Sequence, residues 1–238
     1  MNDKYLPAAV WTYPDVLGLF FGGLAGSVFL IVIATALNGA ELSSVPQLIA
    51  AATGQAAAIV GILAYMSKTR GTASWDLDFG LRFKASDLLG ILYGFGLQIA
   101  VLLLVQVPLA WLLSIEDPPE QDVSLIAGEA SSLVAKVAVF IVLVILAPLT
   151  EELVYRGVLL SRLRRGFSKH AAVAISALVF SGIHLVDPSA AFVVPGLFVI
   201  GLVLGYQALH TDRIGLAITT HAGVNLLAAI AILADLDV

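Results

Sequence analysis

Seven apolar runs separated by short polar segments set the pattern of this chain. The first extends from Val16 to Leu37, the second from about Pro46 to Met66 and the third from Asp87 to about Ser114. A fourth begins near Leu133, reaches Pro148 and continues in helical register through Glu151 and Arg156 to the basic patch Arg162, Arg164, Arg165 and Lys169. The last three cover about His170 to Leu185, Ala190 to Leu209 and Ile214 to Ala234. A helix needs roughly 20 apolar residues to cross a hydrocarbon core about 30 Å thick, and the short alternating segments of a membrane barrel are absent. The pattern therefore predicts an all-α, polytopic transmembrane helix bundle of about seven spans, or eight if the Pro148 region splits the fourth.

Several details refine this expectation. Gly18, Gly22 and Gly26 in the first run, Gly90 and Gly94 in the third, and Gly201 and Gly205 in the sixth recur at four-residue spacing, which lines small residues on one face for close helix approach. Pro108 and Pro148 predict kinks. The fifth run covers only about 22 to 24 Å at helical rise, so its outer end, with His184 and the Asp187, Pro188 turn, should stop below the surface. Backbone there is tolerated only against protein or a wet cavity, which predicts a water-bearing pocket.

Composition agrees with the pattern. Of the 238 residues, 60% are hydrophobic and 12% charged, against about 25% charged in soluble domains, and the mean hydropathy is +1.00. No polar stretch exceeds a loop, so residues 1–238 read as one membrane-embedded domain. The loop Ser67 to Ser86 and the acidic segment Ile115 to Glu129, with Glu116, Asp117, Pro118, Glu120 and Asp122, carry no helix in this reading. With no cysteine, thiolate and disulfide chemistry drop out, leaving hydroxyl, carboxylate and imidazole groups. The formal charge of -5 speaks against a nucleic-acid partner. Only Lys4 precedes the first run and no small-residue cleavage site follows it, so this helix is expected to stay as an anchor. Lys4, the Lys68 to Lys84 loop, the Arg162 to Lys169 patch and Arg213 fall on one side of a seven-span arrangement. The positive-inside bias then puts the N-terminus inside and the C-terminus, with Asp235 and Asp237, outside.

Polar and ionisable side chains within the later runs carry the candidate chemistry. Glu152 and Arg156 stand at i, i+4 with the acid first, the favourable order for a helical ion pair, and read as a structural pair. Glu151 is turned about 100° from Glu152 and is left for other work, as a general base for water or as a carboxylate bonded to a neighbouring helix. His184 alone reads equally as an interhelical hydrogen-bonder. His221 and Asn225 offer neighbouring donors suited to an oxyanion. His170 and His210 lie at inner helix ends and receive no function, and Lys136 can snorkel to the surface. One Glu, two His and one Asn can hydrolyse an amide, and Glu151, His184 and His221 are equally a possible Zn2+ ligand set with water in the fourth position. Neither H-E-x-x-H nor G-x-S-x-G is present.

The motifs E-E-L-V-Y-R-G at Glu151 to Gly157, F-S-G-I-H at Phe180 to His184 and H-A-G-V-N at His221 to Asn225 resemble, in this order, the E-E-x-x-x-R, F-x-x-x-H and H-x-x-x-N motifs of the CPBP family, the CAAX prenyl protease and bacteriocin-processing (Abi) intramembrane proteases. The resemblance covers about residues 133–234, the implied catalytic core; residues 16–114 match only as generic packing helices. Tyr155 stands where phenylalanine is common. The resemblance implies an intramembrane endopeptidase of glutamic or metallo type in the cytoplasmic membrane of a prokaryote. In it Glu151 and His184 activate water, His221 and Asn225 form the oxyanion hole, and the substrate is a peptide or membrane protein. A non-catalytic binding or immunity protein and a proton-coupled transporter are the alternatives.

Overall fold

The computed structural model describes residues 9–38, 43–116, 119 and 122–233. Lys4, Gly39, Glu41, Asp117, Pro118, Glu120, Asp235 and Asp237 lie outside the described residues, as does Ala234, the expected end of the last run. Among the described residues the chain is an all-α bundle with seven helices long and apolar enough to cross a membrane. The spans are α1 (Tyr13–Asn38), α2 (Ser44–Arg70), α4 (Ala85–Leu113), α6 (Leu133–Arg164), α7 (Lys169–Gly182), α8 (Val194–Thr211) and α9 (Gly215–Leu233). Two short helices intervene, α3 (Trp75–Phe79) and α5 (Asp122–Gly128).

Both short helices correct the loop reading of their segments. The α3 helix forms because Ser74 caps it by accepting from the Leu77 N–H, and because Gly80 ends it in the left-handed region at φ 70°. Its Phe79 is fully buried and stacks on Trp11 at 5.2 Å between ring centroids. The buried Asp78 carboxylate accepts from Ser67 at 2.5 Å and from the Thr72 N–H and hydroxyl at 2.9 Å, closing the end of α2. A segment that is polar on average is thus a plug under the bundle.

The two prolines explain a feature that hydropathy does not show. A wide π turn occupies Leu102–Gln106, two residues before Pro108, and another occupies Val142–Leu146, two residues before Pro148. A proline ring collides with the carbonyl four residues earlier, and widening the preceding turn makes room for it. The helices continue through both prolines, so α6 is one span and does not split. A third π segment, Leu153–Leu160, follows Glu152. Each extra residue in a turn rotates the following side chains by about one helical step, roughly 100°.

The most closely packed pairs are α1 with α2, α4 with α9 and α7 with α8. The glycine spacing explains the second pair. A Cβ on Gly94 would stand 1.9 Å from the Thr220 carbonyl oxygen and 2.7 Å from the Val224 nitrogen, so the two backbones nearly touch there. In the first helix Gly22 and Gly26 face α2 as the spacing predicts, whereas Gly18 has nothing within 4 Å. Gly94→Leu should destabilise the bundle by about 1–3 kcal/mol or more, since the obstacle is backbone, and a lowered melting temperature in detergent is the measurement. An unchanged melt would mean that α4 and α9 can separate without loss.

Basic side chains tie one end together. Arg70 pairs with Asp15 at 2.5 Å, Arg165 donates to the Ala9 carbonyl at 3.2 Å, and Arg162 lies 4.2 Å from the centre of the Tyr13 ring. Arg213 clamps Asp87 through two bonds of 3.1 and 2.5 Å, and Thr219 donates to the Asp87 carbonyl. At the opposite end, the Asp122 N–H donates to Asp187 at 3.0 Å.

Candidate active site

The central helix α6 supplies both carboxylates, and its irregular turns set where they point. Thr150 donates back to the Leu146 carbonyl at 2.8 Å beside Pro148, and the next residue, Glu151, is part-exposed with 30% of its side chain accessible. Its neighbour Glu152 is fully enclosed. The expected pair forms: Arg156 Nη1 donates to Glu152 Oε1 at 2.7 Å, with both side chains at 0% exposure. Arg156 also donates to the Gly201 carbonyl on α8 at 3.0 Å and lies 4.8 Å from the centre of the Phe180 ring on α7. One guanidinium therefore joins three helices.

His221, on α9, stands between the two carboxylates. Its Nδ1 is 3.0 Å from Glu152 Oε1 and its Nε2 is 3.8 Å from Glu151 Oε2. Asn225, one turn further along α9, donates its amide to the Leu143 carbonyl at 2.9 Å, inside the π turn that precedes Pro148. Such a carbonyl has lost its regular helical partner, so the bond both satisfies it and fixes α9 against α6.

The fifth run ends with His184 at its outer end, as expected, but in a tighter turn than the rest of the run. Helix α7 ends at Gly182, and His184 lies in the 3₁₀ turn Ile183–Val186, followed by a second 3₁₀ turn, Pro188–Phe192. The span stops early, as its length predicts, but the histidine belongs to the tighter turn beyond it. The turn is held locally: His184 Nδ1 is 2.9 Å from the Phe180 carbonyl oxygen, and the Asp187 N–H donates to the His184 carbonyl at 3.1 Å. Asp187 in turn accepts from the Ser189 hydroxyl at 2.5 Å, which holds its carboxyl below the ordinary carboxylate range. Helix α8 starts only at Val194, with Pro195 in its first turn, rather than at Ala190.

Phe180 stands edge-on to the site. Its ring meets His184 at 5.3 Å, His221 at 5.6 Å and Tyr155 at 5.2 Å between centroids, in each case edge to face. Such contacts stiffen ring orientation at little cost.

A cavity of about 160 Å³ opens beside these groups, room for several water molecules at about 30 Å³ each. Its lining includes Glu151 and His184, with Thr150, Tyr155 and the apolar Leu146 and Val154. His221 and Asn225 are not in the lining; His221 approaches one of its members, Glu151, at 3.8 Å. The opposite wall comes from α1 and α2, through Leu19, Phe20, Ala52, Gln55 and Ile59. By sequence those helices read as packing elements, but Gln55, a glutamine in the middle of an apolar span, lines the cavity. Among the described residues no three His, Asp or Glu side chains gather as a metal-ligand set.

Residues 133–227 match the family model Rce1-like, described as Type II CAAX prenyl endopeptidase Rce1-like. Over this segment the chain is similar to that family. The matched residues are those that carry Glu151, Glu152, Arg156, Phe180, His184, His221 and Asn225, and this is the CPBP-type family that the three ordered motifs resemble. No curated protein and no solved structure matches the chain. Seven helices long and apolar enough to cross a membrane make this an integral membrane protein.

Proposed function

We propose that this Rce1-like protein hydrolyses a peptide bond of a membrane-associated protein or peptide by a water that Glu151 and His184 activate, with His221 and Asn225 binding the oxygen that becomes negative. The observation that carries the proposal is that Glu151 and His184 line one cavity, roomy enough for several waters, inside a transmembrane bundle. An ionisable side chain in that setting is a functional-site candidate by default.

The steps follow from the groups in place. Water in the cavity gives a proton to the Glu151 carboxylate while its oxygen attacks the substrate carbonyl carbon, and the carbonyl electron pair moves onto oxygen. That charge is met by donors from α9: the Asn225 amide has a second hydrogen besides the one on Leu143, and the His221 ring lies beside Glu151. When the tetrahedral species collapses, the carbon–nitrogen bond breaks and the departing nitrogen takes the proton from Glu151. An acid and an amine leave, and the carboxylate is restored. This reading assigns the basic end of the bundle to the cytoplasmic side on the positive-inside bias.

The form put forward is the metal-free one, in which the Glu151 carboxylate itself takes the proton of water. Purified protein in lipid vesicles should cleave a membrane-anchored peptide at a defined bond, read as a new N-terminus by mass spectrometry. Turnover should be unaffected by a strong chelator. Activity lost to the chelator and restored by zinc alone would replace this mechanism by the metallo form. Binding without any cleavage would favour the immunity reading, and proton-coupled uptake into the vesicles the transporter reading.

A further inference from the structure

Glu152 is more than the counterion of Arg156. A carboxylate whose only task is to neutralise an arginine does best with a two-pronged contact, both oxygens on the guanidinium fork. Here Arg156 Nη1 and His221 Nδ1 both address Oε1, at 2.7 and 3.0 Å, while Oε2 is buried without a hydrogen-bond partner. The carboxylate is turned so that one oxygen joins the arginine to the histidine.

This has a consequence for the ring. A carboxylate oxygen only accepts, so the nitrogen facing it has to carry the hydrogen. The two nitrogens of His221 are thereby made unequal: Nδ1 donates inward to Glu152, and Nε2 is the nitrogen presented to Glu151. Phe180 presses edge-on against the ring at 5.6 Å and opposes rotation about its axis. Arg156, held on Gly201 and over Phe180, keeps Glu152 from following the ring.

Building on the reading of the site given above, we propose that Glu152 is a positioning residue that fixes the hydrogen of His221 on Nδ1 and reserves Nε2 for the reaction. Nε2 donates to the oxyanion when it carries a hydrogen and shares the proton held by Glu151 when it does not. Either use requires Nδ1 to stay on Glu152. With the ring reversed, the cavity side would meet the wrong nitrogen, at an angle set by the other edge of the ring.

Nitrogen-15 NMR of the histidine-labelled protein tests this directly in the wild type, with the His221 signals assigned by their loss in His221→Gln. The expected result is a proton-bearing Nδ1 signal for His221. Glu152→Gln should shift that signal and lower kcat on a cleaved peptide by about 10- to 100-fold with KM unchanged, because the carboxylate never touches the substrate. The range is that of losing a partner which orients a reacting ligand. The double variant Glu152→Gln/Arg156→Met, which leaves no lone buried charge, keeps the comparison valid if the single variant misfolds, and it should show the same kcat loss. A wild-type Nδ1 that carries no hydrogen overturns the proposal, as does a folded Glu152 variant with full kcat. These outcomes are separable from failure of the catalytic reading, which turns on Glu151 and leaves the His221 signal unchanged.

Discussion

Glu151→Gln is expected to lower kcat on any peptide that the wild type cleaves by about 10²–10⁴-fold, the range over which a positioned general base contributes. The amide nearly reproduces the shape of the carboxylate, so the variant keeps the packing of α6 and changes only the capacity to take a proton. Glu151 is also the exposed member of its pair: 30% of its side chain is accessible, whereas Glu152 is the one that accepts from Arg156 at 2.7 Å. Its replacement should therefore leave the melting temperature within the range of surface substitutions, about 0.5 kcal/mol. The measurement is single-turnover cleavage in vesicles alongside a thermal melt. Full turnover in a folded Glu151→Gln protein would remove Glu151 as the base and with it the mechanism proposed above.

The second large effect is structural. Arg156→Met should destabilise the protein by about 3–5 kcal/mol, the cost of leaving one member of a buried ion pair without its partner. Several ties go at once, among them the bond to Glu152, the bond to the Gly201 carbonyl and the contact with the Phe180 ring. The first charge stays behind in a site with no exposure, and the other two links hold α6 to α8 and α7. A loss of monodisperse protein in detergent, or a large fall in melting temperature, is the expected result. Adding Glu152→Gln to Arg156→Met should recover part of the loss, because the stranded carboxylate is then neutral. An Arg156→Met protein that melts like the wild type would show that the pair contributes nothing to the bundle. The contrast between adjacent glutamates is the useful feature: substitution of Glu151 should cost activity with little stability, and loss of the Glu152 partner should cost stability first.

The two glutamates also show how far a reading by helical periodicity reaches. Four-residue spacing predicts the Glu152, Arg156 pair, and the pair forms even though the helix widens into a π segment from Leu153. The same spacing says nothing about which carboxylate His221 meets, since that depends on the approach of α9 to α6. The structure puts the shorter distance on Glu152, 3.0 against 3.8 Å. Similarly, run length predicts that the fifth span ends early, while only the backbone places His184 in a 3₁₀ turn beyond the helix. Asn225 illustrates the limit most plainly: the sequence offers a free amide beside His221, and the structure commits one of its hydrogens to Leu143 because a π turn there has left a carbonyl to satisfy.

Alone, the sequence determined the membrane class, the seven spans, the bunching of basic residues at one end and the identity of the polar groups that interrupt the apolar runs. Those features follow from how many consecutive residues avoid water and from where charge is tolerated, which are local properties of the chain. Tertiary structure alone decided that α1 and α2 wall the cavity, that Trp11 and α3 plug the base, and that one arginine joins α6, α7 and α8. It also decided which nitrogen of His221 faces which carboxylate. These arrangements depend on the phase and approach of helices distant in sequence, and proline-linked π turns shift that phase by a residue at a time, a change that no hydropathy pattern records.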